Sequence, residues 1–146
     1  MHDALEAAQV ACDRKPKDAE AWYLLGCISR YTQMPVASDT AFARAATLSR
    51  KKPTPHRVGR AEFEVLVEAA LGELSPDASR RLRDCRVEVK DLPGLDEIKA
   101  GLAPDALSSR TRGSTDVLTV FQVNHENRSS SESQLKGLVA RTLARA

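Results

Sequence analysis

The sequence predicts an α+β fold, in which antiparallel N-terminal helices precede a small unit of helix, two strands and helix. Three patterns predict this fold. Small and aromatic residues recur 34 positions apart in the first third of the chain, at Ala4, Ala8 and Ala11 and again at Ser38, Phe42 and Ala45. Apolar residues then step by three or four from Phe63 to Leu74, as on one helix face. Residues 85–90 alternate strictly, as in a half-buried strand.

Three helices are predicted in the first third, over residues 2–14, 19–31 and 35–49. Asp18 precedes the second helix, where an aspartate can accept a hydrogen bond from the first free backbone amides. Pro35 stands at the start of the third helix, and proline is tolerated in a first helical turn. These signals define the helix boundaries.

The segment Trp22-Tyr23-Leu24-Leu25-Gly26, with Pro16 six residues before the tryptophan, carries a family resemblance. Together with the 34-residue spacing, it resembles the tetratricopeptide repeat over about residues 1–52, as one full repeat preceded by half of another. The chain departs from that pattern at Ser29, which replaces the usual tyrosine, and at the late Pro53. The alternative is an unrelated alanine-rich helical hairpin. In either case we expect Gly26 and the small residues at 38 and 45 to allow the helices to pack closely. The expected structural residues of the hairpin are Trp22, Leu25, Tyr31 and Phe42.

The resemblance implies a binding role. Repeats of this kind bind peptides or partner helices in a concave groove, and Arg30 and Arg44 are the candidate exposed contacts for a partner. One and a half repeats are too few to bury a continuous face, since such arrays need about three units. The helices must therefore dock elsewhere on the chain, pair with another copy of it, or belong to a longer array; homo-oligomerisation is one expected outcome.

A basic, proline-punctuated stretch over residues 50–57 separates two predicted domains, 1–52 and 57–146. We interpret its cations as a solvated linker beyond a helix C-terminus. Contact with a nucleic acid is the other interpretation, but no aromatic residue is interleaved for base stacking. The net charge of +2 is also too small to predict a nucleic acid or an anionic membrane as the main partner.

The second unit combines helix and strand signals. Beyond the helix of residues 63–74, Ser75 and Pro76 begin a short helix to about residue 82, residues 85–90 form a strand, and residues 95–102 form a short helix. Residues 103–114 are predicted as loop and 117–123 as a second strand. Ser129 or Ser131 then caps a final helix, with Glu132 or Gln134 three residues on, and its buried stripe is Leu135, Leu138, Val139 and Leu143.

Residues of about 60–143 resemble the minimal zincin-like metallopeptidase family found in bacteria. The resemblance rests on the run from Ala61 to Leu71, on Val87-Glu88-Val89 and Asp91-Leu92-Pro93, and on Leu118-Thr119-Val120-Phe121 with Asn124 and the final helix. That family implies a zinc ion held by H-E-x-x-H on the last helix, where the two histidines share one face and the glutamate activates water.

In register with that family, the zinc motif should begin near Arg145, but the chain reads Ala144-Arg145-Ala146. Arginine stays protonated and alanine has no ligand atom, so we predict no metal, no cofactor and no catalytic residue. His125-Glu126 begins like the motif, but Ser129 stands where its second histidine belongs, and we expect a solvated turn there. Cys85 is expected to be a buried thiol rather than a nucleophile.

The three cysteines are too scattered for a disulfide framework, and no stretch approaches the about 18 apolar residues of a membrane span. A cytoplasmic protein is the default expectation. The predicted function is a non-catalytic protein-interaction or scaffold role for a repeat joined to a degenerate peptidase-like unit, a pseudoenzyme. The alternative is a zinc metallopeptidase whose active-site helix is missing from this chain.

Overall fold

The computed structural model describes residues 2–146, and these residues fold into two compact units, 2–55 and 56–146. The chain is α+β, with helices α1–α3 in the first unit and a small mixed sheet with further helices in the second. Within residues 2–146, no helix is both long and apolar enough to cross a membrane.

The first unit consists of three helices, α1 (His2–Arg14), α2 (Ala19–Tyr31) and α3 (Pro35–Leu48). The predicted bounds are confirmed, except that α3 ends one residue earlier than predicted. The start signals are confirmed as well: a carboxylate oxygen of Asp18 accepts a hydrogen bond from the Glu20 amide at 3.0 Å, and Pro35 opens α3. The Trp22 indole N–H donates to the Pro16 carbonyl at 2.9 Å, which ties α2 to the turn before it.

Small residues bring α2 and α3 into close contact, as predicted. A Cβ atom on Gly26 would lie 2.8 Å from two ring carbons of Phe42, so only glycine fits there without a shift. The Ser38 hydroxyl donates to the Gly26 carbonyl at 2.6 Å, and the side chains of Ser38, Phe42 and Ala45 are fully buried. Leu25 is buried too, whereas Trp22 and Tyr31 are half-buried.

The second unit contains five helices and three strands among the described residues. The helices are α4 (Arg60–Gly72), α5 (Pro76–Leu82), α6 (Leu95–Lys99), α7 (Gln122–Asn127) and α8 (Glu132–Arg145); the strands are β1 (Cys85–Lys90), β2 (Ser108–Thr111) and β3 (Asp116–Phe121). Two predicted caps are confirmed: Ser75 Oγ accepts from the Ala78 amide and Ser131 Oγ from the Gln134 amide.

The sheet has the strand order β1-β3-β2, with β3 parallel to β1 and antiparallel to β2. β3 is therefore the central strand, and β1 and β2 each leave one side without a strand partner in the described chain. The core forms where α4 and α8 pack with β3, and its buried members are Phe63, Leu66, Val67, Ala70, Leu82, Leu118, Val120, Leu135, Val139 and Leu143.

Two of the elements predicted for this unit are wrong. The predicted loop of residues 103–114 contains β2, so the sheet has three strands rather than two. The predicted strand of residues 117–123 ends at Phe121, and α7 begins directly after it. β2 was missed because Ser108-Ser109-Arg110-Thr111 lies at an edge and carries no apolar alternation.

Candidate functional site

A shallow groove in the first unit runs between α1 and the start of α2. It measures about 350 Å³, and its lining residues are Ala7, Val10, Ala11, Arg14, Lys15, Asp18 and Ala21. The four from α1 follow the spacing i, i+3, i+4, i+7, which defines one face of a helix. A neighbouring face of α1 buries Ala8 and Cys12 in the core of this unit.

This groove has an apolar lining and a charged end. Its apolar lining consists of Ala7, Ala11 and Ala21 together with Val10, which is 41% exposed. Arg14 and Lys15 stand at one end with Asp18, so that end carries a net positive charge. Alanine side chains are short, so the backbone of another element can approach this surface closely.

The two candidate partner contacts lie apart from this groove. Arg44 is exposed on α3, whereas Arg30 is half-buried on α2 rather than exposed as expected. Neither is among the residues that line the groove. Their role as partner contacts stays a prediction.

In the second unit, α7 is a polar helix that is buried along its whole length. Its six residues, Gln122, Val123, Asn124, His125, Glu126 and Asn127, are each at most 5% exposed. The expectation of a solvated turn at His125-Glu126 is therefore wrong, because these residues form a helix beneath the surface. Buried polar groups need hydrogen-bond partners, and the surrounding segments supply most of them.

His125 is fully buried and bonded at both ring nitrogens. Nδ1 lies 2.7 Å from the Phe121 carbonyl oxygen, which can only accept, so Nδ1 carries a proton. Nε2 lies 2.9 Å from Thr142 Oγ1, which also lies 3.0 Å from the Leu138 carbonyl, so the single hydroxyl proton of Thr142 is shared between these two acceptors when the ring is neutral. Burial lowers the pKa of His125 to about 4; the bond to Phe121 opposes this shift, and the positive charge of Arg128 adds to it. The ring is thus neutral at pH 7 and links β3 to α8.

Glu126 holds the segment that leads into α4. One carboxylate oxygen accepts from the Val58 amide at 2.9 Å and from Gln122 Nε2 at 3.2 Å, and the other lies 3.3 Å from an Arg57 guanidinium nitrogen. The side chain of Glu126 is only 3% exposed, against 22% for Arg57. A buried carboxylate needs such compensation, and here all of its partners come from the described chain.

Gln122 and Asn124 connect α7 to two further segments. Gln122 Oε1 accepts from Arg60 Nε at 2.8 Å, and Asn124 Nδ2 donates to the carbonyls of Pro104 and Ala106 at 3.0 and 2.8 Å. Asn127 is the exception, since its buried Oδ1 accepts no hydrogen bond from residues 2–146. We call the bonded side chains of Gln122, Asn124, His125 and Glu126 the α7 network.

The side-chain atoms of the α7 network that could bind a metal or transfer a proton are already hydrogen-bonded within the protein. Both ring nitrogens of His125 and both oxygens of Glu126 already contact protein atoms. Within residues 2–146, no three side chains of histidine, cysteine, aspartate or glutamate come together as a metal-binding group. Cys85 is half-buried, not buried as expected, and its thiol contacts the Arg86 carbonyl at 3.8 Å.

Sequence reasoning missed the α7 network because polar residues after a strand are usually turn residues. The available signal was the density of amides: Gln122, Asn124 and Asn127 flank the His-Glu pair within six positions. Such side chains both donate and accept, which suits a buried hydrogen-bonded helix.

Comparison with known proteins adds no family to this picture: neither a protein-family model nor a curated protein matches the chain.

Proposed function

We propose that the chain is a non-catalytic protein-interaction module, and that the groove between α1 and α2 binds a helix of a partner protein. The observation that carries this proposal is the groove itself, with its three lining alanines and the exposed Val10. An amphipathic helix presents apolar side chains at i, i+3, i+4 and i+7, the same spacing as the α1 residues that line the groove.

Charge defines the partner further. Arg14 and Lys15 are both exposed at one end of the groove, with a single carboxylate, Asp18, beside them. A partner helix with an acidic residue at the matching end would gain an attraction that weakens with salt. The proposed partner is therefore a helix that has one apolar face and an acidic end.

No observation on residues 2–146 favours the zinc-peptidase alternative.

The test places a photo-crosslinking amino acid at Val10 or, as the control, at Val36. Val36 is 79% exposed on α3 and lies outside the groove, so it has the same residue type and a greater exposure. The full chain is irradiated in an extract of its source cells, and the adducts are mapped by mass spectrometry. We expect a protein crosslinked from Val10 and not from Val36, with its crosslinked segment helical.

The partner found in this way is then purified and its affinity for the chain is measured by calorimetry. Replacing Arg14 and Lys15 together by alanine should weaken binding about 10-fold, since both cations that attract the acidic end of the partner helix are lost. Identical adducts from the two positions, or an affinity unchanged by the double substitution, would overturn the proposal.

A further inference from the structure

A second cleft lies in the unit of residues 56–146, between α4 and the edge strand β1. It measures about 520 Å³. α4 contributes Glu64, Val67, Glu68 and Leu71, and the strand contributes Cys85, Val87, Glu88 and Val89. The four α4 residues follow the spacing i, i+3, i+4, i+7, so a single helix face forms one wall.

The other wall is a strand with a free side. β1 pairs only with β3 in the described chain, and its second side faces away from the sheet. Of the β1 carbonyls, that of Val89 accepts from an Arg60 guanidinium nitrogen at 3.1 Å, which covers the end of the strand. Unpaired backbone groups along such an edge can bond to one more strand, the usual way in which extended peptides join a sheet.

The side chains of the cleft divide into an apolar floor and an acidic rim. Cys85, Val87 and Val89 are half-buried and pack against the core of this unit. Glu64 and Glu68 are exposed, and neither forms an ion pair with any of residues 2–146. Glu88 is already engaged, since it pairs with Arg86 and Lys90 and accepts from the Thr119 hydroxyl.

The spacing of the two free carboxylates matches an extended chain. Residues one helical turn apart lie about 6 Å from each other. Alternate residues of a strand lie about 7 Å apart and point to the same face. A strand added beside β1 would therefore direct two alternate side chains toward Glu64 and Glu68, and lysine or arginine would complement both charges.

We infer that this cleft binds an extended basic peptide of a partner protein, which adds as a strand to β1 and places two alternate cations against Glu64 and Glu68. The site lies in a different unit from the α1–α2 groove. The failure of either proposal therefore leaves the other standing.

The first experiment uses Cys85 as a reporter. In a full-length Cys27→Ser variant, Cys12 is buried and Cys85 is the thiol that a soluble alkylating reagent reaches. The probes are a five-residue peptide with lysine and valine alternating, blocked at both ends, and the matching peptide with glutamate in place of lysine. The lysine peptide should slow alkylation of Cys85 in a saturable way, and the glutamate peptide should not.

Two variants test the charges. Replacing Glu64 and Glu68 together by glutamine should weaken the lysine peptide about 10-fold, because two exposed ion pairs are lost. The matched control replaces Glu62 and Glu73, two exposed glutamates of the same helix and its C-cap that do not line the cleft, and should leave the affinity unchanged. Equal weakening in both variants would contradict the proposal.

Strand addition is tested with lysine peptides N-methylated at alternate residues. A strand bonds to its neighbour along one side only, so methylation of one set of amides should abolish protection and methylation of the other set should preserve it. Equal protection by the two peptides would overturn strand addition. If the protein alone dimerises in sedimentation and its own dimer shields Cys85, the cleft is an interface between copies and the proposal is wrong.

Discussion

The α2–α3 contact and the α7 network are two buried regions that are held together in different ways. Between α2 and α3, the backbones approach because Gly26 has no side chain and Phe42 fills the space in front of it. Around α7, buried polar atoms are held by hydrogen bonds, as at His125 and Glu126. The first region depends on shape, so it is sensitive to added atoms. The second depends on paired polar groups, so it is sensitive to the loss of a partner.

The largest effect should come from removing an acceptor of the α7 network. Glu126→Ala leaves the Val58 amide and the Gln122 amide without their shared acceptor and removes the carboxylate that pairs with Arg57. Each buried donor that loses its acceptor costs about 1–3 kcal/mol, and with the lost charge pair the total is about 3–5 kcal/mol. The free energy of opening should fall by that amount in hydrogen exchange of the α8 amides, measured by mass spectrometry.

The control for this substitution is Glu132→Ala on α8. Glu132 pairs with Lys136 one turn away, and both side chains are more than half exposed. A surface pair of this kind contributes less than about 1 kcal/mol. If the two alanine variants lose similar stability, the hydrogen bonds of Glu126 do not hold α7 in place.

The contrast between the regions also explains what the sequence could predict. The helices of the first unit were predictable because their signals lie within or beside each helix. Asp18 and Pro35 mark helix starts, and the 34-residue spacing and Gly26 after Leu25 mark positions inside the helices. The strict alternation of residues 85–90 likewise predicted β1. In these segments the periodicity of apolar residues matches the burial that the fold imposes.

The α7 network was not predictable in this way, because its burial is imposed by distant segments. The hydrogen-bond partners of the Gln122 amide lie on Val58 and Arg60, and those of the Asn124 amide are carbonyls some 20 residues earlier in the chain. β2 was missed for a related reason, since its polar residues pair with β3 at an exposed edge. Of the candidate sites, the α1–α2 groove lies between two predicted helices, but its lining was not predicted, since Arg30 and Arg44 lie outside it. The cleft beside β1 required the strand order.

A smaller effect, of the same sign as the loss of Glu126, should follow from protonation of His125. Its pKa in the folded chain is about 4, against an ordinary value of 6.5, because burial disfavours the charged ring. Between these values the unfolded chain takes up a proton at this residue and the folded chain does not. The stability contributed by the neutral ring is therefore complete above pH 6.5, lost as pH falls to about 4, and constant below. The loss is about 3 kcal/mol.

Measuring this effect requires the difference between two chains, because carboxylates and the other histidines titrate as well. His125→Gln removes the titration at this position and leaves His2 and His56 in place. The free energy of unfolding of the wild-type chain should fall more steeply than that of His125→Gln between pH 6.5 and 4. Parallel pH profiles would show that the buried ring is not the titrating group.

The smallest effect tests the shape-dependent region. Gly26→Ala adds a methyl group 2.8 Å from the Phe42 ring, and overpacking of a tight contact costs about 1–3 kcal/mol. This loss opposes the gain of about 1 kcal/mol that alanine normally brings inside a helix. Trp22, the single tryptophan, lies in the same unit, so urea unfolding followed by its fluorescence reports the change.

Gly137→Ala on α8 separates helix propensity from packing. There the added Cβ would lie 3.3 Å from the end of the Arg141 side chain, which can move aside, so the propensity gain should prevail and α8 should become more stable by up to about 1 kcal/mol. The two identical substitutions should thus have opposite signs. If Gly26→Ala also stabilises its unit, the α2–α3 contact can yield by a few tenths of an ångström. Glycine at position 26 would then reflect something other than the close approach of the Phe42 ring.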